Sequence, residues 1–375
     1  MIQSPLCRML GIDFPLFAFT HCRDVVVEVS KAGGFGVLGA VGHTPEELEA
    51  ELNWIDAHID GRPYGLDVLI PENLPGAAGV DTGMAAMARR IPEQHSAFVR
   101  ELLQRHGVQG GTELRMERPT PFLPENAERQ MDVAFRHPIR LIANALGVPP
   151  PSMIERARRH GIPVAALVGA KEHALRQVEA GVDIIVAQGG EAGGHCGEVS
   201  TMVLIPEVVR ALRGGREVPV LAAGGIMTGE QMAACMAMGA AGAWTGSVWL
   251  PTRESECSET VREKLVAAGS RDTVRSRSRT GKPARQLRSA WTEAWEAPDS
   301  PGCLPMPLQP MLSSPALRAV EQAADGGNAQ ARELATYFVG QGIGLVTGTQ
   351  SSRAVVQDFM QEFSDALERM QGLVA

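Results

Sequence analysis

With 375 residues, 44% of them apolar and 21% charged, the chain has enough material for one large or two modest soluble globular domains. A net charge of −8 argues against nucleic acid or an anionic membrane as partner, and no apolar run is long enough to span a bilayer. Six cysteines without paired spacing exclude an obvious metal site or disulfide framework, and the N-terminus has neither a basic region nor an apolar signal core, so a reduced, cytoplasmic protein is expected.

In chain order, Phe14–Phe19 reads as a first strand, followed by a short helix from Asp24 to Lys31 that Gly33 and Gly34 stop. Phe35–Leu38 is a second strand. Thr44-Pro45-Glu46-Glu47 then opens a helix with a capping box and proline at its first position. Tyr64–Ile70 is a third strand and Ile139–Ala143 a fourth. Ser152-Met153-Ile154-Glu155 resembles another capping box, and Gly161 closes that helix. Pro163–Val168 is a fifth strand, with a helix over about 170–180 ending at Gly181.

The most informative stretch comes next. A β-branched run at Ile184–Ala187 breaks into Gln188-Gly189-Gly190-Glu191-Ala192-Gly193-Gly194-His195. Glycines at 189, 190, 193 and 194 let the backbone approach a ligand closely, and a histidine can exchange a proton near neutral pH. The plain alternative is a tight turn whose imidazole only bonds a carbonyl. A seventh strand at Val218–Ala223 ends in Gly224-Gly225, with Thr228-x-x-Gln231 opening a helix, and an eighth around Gly242–Thr245 ends in Gly246-Ser247. Glycines at successive strand ends near helix starts make an anion cradle of the kind that holds a phosphate, so Gly224, Gly225, Gly246 and Ser247 are the candidate phosphate binders; close helix–strand packing is the other reason for such glycines.

Eight strand–helix units predict an α/β fold, a (β/α)8 TIM barrel over 1–254. A Rossmann-type sheet alternates similarly, but its glycine fingerprint follows the first strand, whereas here the strong sites come late, as in a barrel. Two regions interrupt the pattern. An insertion of about 71–137 follows the third strand, with helical character over 84–105 and irregular sequence over 107–124, and is expected to lid the active-site face. A C-terminal helical extension, 255–375, holds the basic run Arg275–Arg288, read as a solvated face, and a last helix whose stripe Val356, Met360, Phe363, Leu367 and Met370 is expected to dock on the barrel.

The Gln188–His195 element, with Ala223-Gly224-Gly225-Ile226 and Gly246-Ser247, resembles the flavin-dependent nitronate monooxygenases, formerly called 2-nitropropane dioxygenases. FMN-dependent enoyl-acyl-carrier-protein reductases and NADH:quinone reductases are close relatives of that family. The likeness runs from Ser4-Pro5-Leu6-Cys7 to about Ser255, with weaker echoes at 280–285 and 340–342. It implies FMN as cofactor and a nitronate or nitroalkane plus O2 as substrates. It implies that His195 is the catalytic residue, either as base beside a nitro group or as partner of the nitronate charge. Gln188 would reach the flavin, although a loop-ordering bond is an equal alternative, and Glu191 would organise its loop; Gly193 and Gly194 would lie against the cofactor. Two places depart from the family pattern. Ala18-Phe19-Thr20-His21 stands where Ala-Pro-Met is common, so Ala18 and Phe19 would line the flavin, and Asp67 replaces a common Asn. Alternative functions are an NAD(P)H-dependent quinone or enoyl-thioester reductase and a barrel that binds a ligand without turnover. Oligomeric state is left open, a homo-oligomer being compatible with the sequence.

Overall fold

The computed structural model describes residues 4–70, 84–112 and 124–374. Eight parallel strands close into a barrel in chain order. They are β1 (Leu16–Thr20), β2 (Phe35–Gly39), β3 (Tyr64–Val68), β4 (Leu141–Asn144), β5 (Val164–Val168), β6 (Ile184–Gln188), β7 (Val220–Ala223) and β8 (Gly242–Thr245). Closure is made by β1 against β8, with Phe17 opposite Trp244.

Period-two alternation sorts the strand residues into two layers. Phe17, Phe35, Val37, Leu141, Val186, Leu221 and Trp244 fill the interior, where Phe17 packs on Phe35 at 5.0 Å between ring centroids. Ala18, Leu38, Leu66, Ile142, Ala166, Ile185 and Ala222 point outward into a layer shared with the helices. A short helix, Pro5–Leu10, plugs the barrel's lower mouth with Leu6 and Leu10; Ser4 caps it by accepting from the Leu6 amide. At Gly36 a Cβ would meet the backbone of Val26, so glycine lets the helix Arg23–Lys31 lie directly on β2.

Local signals were met unevenly. The Thr44 box forms in full, with Thr44 accepting from Glu47 N and the Glu47 carboxylate accepting from Thr44 N. The Ser152 box does not form. That helix begins at Pro151 with Pro150 as its cap, and the Ser152 hydroxyl donates instead to Glu128 on the neighbouring helix. Thr228 accepts from Gln231 N, but the Gln231 carboxamide turns to Met227 N. Both Gly161 and Gly181 end their helices in the left-handed region that favours glycine.

The two interruptions of the barrel pattern find each other. From the insertion come helices Met84–Ala88, Glu93–Arg105 and Pro124–Ala134. The expected lid segments 71–83 and 113–123 lie outside the described residues, and none of the described residues from 84 to 137 lines the cavity discussed below. Val99, Leu102 and Leu103 form one apolar cluster with Trp291, Trp295, Leu312, Leu317 and Val320 of the extension. The extension is mostly helical but includes an antiparallel hairpin, β9 (Thr273–Ser276) and β10 (Ala284–Leu287), after a first helix, Glu259–Ala267. The last helix, Ser352–Gly372, docks on the barrel as expected, but on a face turned from the expected one. Val355, Val356, Phe359, Phe363 and Ala366 are buried, while Leu367 and Met370 are exposed. Its anchor is the helix Gly229–Ala237. Any side chain at Gly229 would strike the Phe359 backbone, and Glu362 accepts from the Gly229 amide at 2.7 Å.

Candidate active site

The upper mouth of the barrel opens into a cavity of about 420 Å³, within the usual range of small-molecule sites. Its lining includes Phe19, Asp67, Gln188, Gly193, Gly194, His195, Gly224, Gly225, Gly246 and Ser247, so the structure brings together ten of the eleven residues singled out from the sequence. The exception is Ala18. It is fully buried and points outward toward the helices, because its neighbour Phe19 takes the inward register.

One end of the cavity is built from backbone. Gly224 and Gly225 take φ of 104° and 72°, a turn that only glycine adopts at low cost. The amides of Gly224, Gly225 and Ile226 donate to no protein group among the described residues. A Cβ on Gly224 would press on Thr201 and Gly189, so this glycine also answers a packing need. Gly246 differs, since a Cβ there would meet little besides Phe19 O at 3.9 Å. Ser247 opens a 3-10 turn, and its hydroxyl accepts from Gly340 N at 2.8 Å, which leaves its own proton free to donate. The strap Gly340-Gln341-Gly342 closes over this end. Gln341 N donates to Glu191 O, and Gly193 and Gly340 lie backbone to backbone, too close for a side chain on either.

The histidine loop is held from two sides. Glu191 accepts from the backbone and the hydroxyl of Thr201 at 2.9 and 2.8 Å, so it orders the loop and does not face the cavity lining. From above, β10 pairs with the loop through Gly194 and Arg285, whose amides and carbonyls exchange two bonds. The Arg285 side chain is buried and donates twice to Gly190 O, at 3.1 and 2.8 Å. His195 itself is half-buried, with Nδ1 3.2 Å from Pro283 O. A carbonyl only accepts, so Nδ1 carries the proton and Nε2 keeps the basic lone pair. Burial pushes the imidazole pKa down, the Pro283 bond opposes this in part, and Lys282 adds to the lowering. The ring is therefore neutral near pH 7 and able to take a proton. Cys196 beside it is outside the lining; its thiol is pushed up by burial and bonds Gly190 O.

Gln188 presents its carboxamide at the wall without a protein partner among the described residues. Asp67 on β3 is 4% exposed and its Oδ1 has no partner among the described residues; burial pushes its carboxyl up to about 8. A buried carboxyl and a half-buried carboxamide on one cavity wall without partners mark a place for a polar ligand.

Several lining residues were not anticipated. His21 lines the cavity, with Nδ1 3.1 Å from Gly39 O and its pKa lowered by burial. Trp244 stacks near Phe19 with centroids 6.2 Å apart. Arg279, Thr280, Met306, Tyr337 and Phe338 come from the extension. The basic run is not a uniformly solvated face: Arg277 and Arg288 are exposed, but Arg285 is buried and Arg279 turns into the cavity. Thr280 falls in the segment whose echo of the family pattern was visible; nothing in the local sequence separates Arg279 from its exposed neighbours.

An eight-stranded parallel barrel with a cavity at its upper mouth, late-strand glycine turns and a histidine on a strand-end loop defines a (β/α)8 enzyme architecture. The nitronate monooxygenase family model matches residues 4–362, and the chain belongs to that family of oxidoreductases. It is 54% identical over 380 residues to "Putative monooxygenase Rv1533" of Mycobacterium tuberculosis, with 100% of each chain covered. It is 26% identical over 383 residues to "Probable nitronate monooxygenase" of Staphylococcus aureus (strain MSSA476), with 98% of this chain and 99% of the relative covered. Among solved structures, nitroalkane oxidase from Streptomyces ansochromogenes superposes with a TM-score of 0.79 at 24% identity, covering 98% of this chain and 100% of that one. FabK from Thermotoga maritima gives a TM-score of 0.70 at 24% identity, covering 100% of both chains. At such identity these two structures establish the shared fold. Among the described residues, no helix is long and apolar enough to cross a membrane.

Proposed function

We propose that the protein binds FMN and oxidises small alkyl nitronates with O2 to carbonyl compounds and nitrite. The observation that carries this reading is His195, a neutral imidazole of fixed tautomer on the wall of a cavity whose other end is a cradle of free backbone amides. The residues present fit a flavin mononucleotide. The amides of Gly224, Gly225 and Ile226, with the Ser247 hydroxyl, would hold its phosphate. Gln188 and the unpartnered Asp67 would meet the polar edge of the ring, and Phe19 and Trp244 supply apolar wall. When bound, the flavin supplies the electron acceptance that no side chain here can provide, and passes those electrons to O2.

The chain's own part is proton transfer and placement. For a neutral nitroalkane, His195 Nε2 takes the proton from the carbon beside the nitro group, the C–H electron pair staying on the nitronate. The resulting imidazolium keeps its second proton on Pro283 O and lies close to the new negative charge. Met306, Tyr337 and Phe338 present mostly apolar surface, which strengthens charge interactions inside the cavity. The rival reading is an NAD(P)H-dependent reductase of quinones or enoyl thioesters. Purified protein given ethyl nitronate in air should release nitrite and consume O2, with activity depending on added FMN after the flavin is stripped. A protein that stays colourless and binds no FMN on reconstitution would refute the cofactor assignment; rapid NADH turnover with no nitrite would favour the reductase.

A further inference from the structure

The cavity wall carries one cation that has no part in the chemistry proposed so far. Of its titratable lining groups, His21 and His195 are driven toward the neutral form by burial, and Asp67 and Glu256 are pushed up by burial, Glu256 also by Glu51 and Asp24. Arg279 is left as the fixed cation of the wall. It is clamped in place, with its guanidinium 4.4 Å from the Phe338 ring and 5.5 Å from the Tyr337 ring, and Nη1 donates to Thr336 O at 2.9 Å. No carboxylate among the described residues pairs with it. Glu321 acts on it only through space, and burial holds that acid above the usual carboxylate range.

A half-buried guanidinium with most of its donors unspent can complete its hydrogen bonds on an anion in the cavity with little further desolvation. The fork matches a planar head with two oxygens, which a carboxylate and a nitronate share. The hairpin loop that carries Arg279 also carries Pro283, the residue that fixes the His195 tautomer, so one segment sets both groups at the same cavity.

We propose that Arg279 is the anion-binding residue of the substrate end, taking a small organic anion with a planar two-oxygen head. Resting on the function proposed above, that anion is the nitronate group itself. Arg279 then selects the charged substrate over the neutral nitroalkane, and it stabilises the charge that forms when His195 removes the proton.

The test is equilibrium binding, which needs no turnover. Butyrate and its neutral isostere butyramide are titrated into the FMN-saturated protein by calorimetry. Butyrate should bind at least about tenfold more tightly than butyramide, the usual scale of a charge-assisted pair. R279Q should abolish that preference, while R279K, which keeps the charge without the fork, should retain part of it. In an Asp67→Asn background, which removes the cavity carboxyl raised to about 8, the preference should also be flat between pH 6 and 8, because Arg279 does not titrate there; a steep rise toward low pH in that background would assign the anion to a protonated histidine instead. Equal affinity of wild type for the two ligands overturns the proposal even if R279Q does not fold, and so does an unchanged preference in a folded R279Q. Arg279-dependent butyrate binding in a protein that releases no nitrite from nitronate would sustain the anion site and sink the nitronate reading. Nitrite release with a KM for nitronate unchanged in R279Q would do the reverse.

Discussion

Two parts of the cavity wall are built by opposite means. The cradle at Gly224, Gly225, Gly246 and Ser247 is largely backbone, set at the ends of β7 and β8 where the barrel fixes it. Another part is made of side chains, Arg279, Thr280, Met306, Tyr337 and Phe338, all carried by the extension. His195 belongs to a barrel loop that the extension braces through Pro283 and Arg285. Changing a side chain of the extension can alter substrate while the cradle stays intact, whereas Gly224 and Gly225 are held by φ and by packing.

The sharpest break in this comparison is His195→Asn. It should leave FMN bound and lower turnover of a neutral nitroalkane by about 10²–10⁴-fold, with a smaller loss on preformed nitronate. Equal losses on both substrates, measured as kcat/KM, would recast His195 as a charge partner and not a base.

Next is Arg285→Met, which leaves Gly190 O buried without its two donors. The cost should be about 1–3 kcal/mol in unfolding stability, with kcat reduced through the loosened His195 loop and FMN affinity little changed. A loss of FMN affinity equal to the loss of kcat would mean that the two parts are not separable.

The cradle can be divided in the same way. Gly225→Ala is strained at φ 72° and close to Glu191, so it should cost about 1–2 kcal/mol of apoprotein stability as well as FMN affinity. Gly246→Val is free of protein contacts nearer than 3.9 Å to its Cβ position and should weaken FMN while the apoprotein melts nearly as before. Thermal melts of both apoproteins beside FMN titrations check this pair.

The remaining effect is electrostatic. Burial raises the Asp67 carboxyl from 3.8 to about 8, so the folded apoprotein binds a proton that the unfolded chain has released between those values. Its contribution to stability is therefore present below about pH 4 and declines as pH rises toward 8. Asp67→Asn should flatten that decline, visible as a melting-temperature gap over wild type that widens from pH 5 to pH 8. A gap that narrows with rising pH would contradict the burial argument.

How much was legible follows the same division. The barrel and its glycine cradle were readable because each strand end is a contiguous stretch in which β-branched residues run into glycine, and the histidine lies in one of these. Thr44 was readable as a cap for the same local reason, whereas Ser152 does not cap, since with Pro150 as cap the helix starts at Pro151 and leaves Ser152 inside its first turn. Arg279 was read as solvated along with the rest of its run. What buries it, Tyr337 and Phe338, comes from the far side of the extension, and no local pattern announces that contact. In the last helix the stripe was found but turned, because Gly229 admits the Phe359 backbone and so decides which face docks.

The proposed function requires that FMN held by the cradle be reduced by a nitronate beside His195. Anaerobic mixing of the FMN-loaded wild type with ethyl nitronate, followed at the flavin absorbance, is the deciding measurement. The oxidised flavin band should be lost within turnover time and return, with nitrite, when O2 is admitted. A band that nitronate leaves untouched while NADH removes it rapidly would overturn the nitronate function.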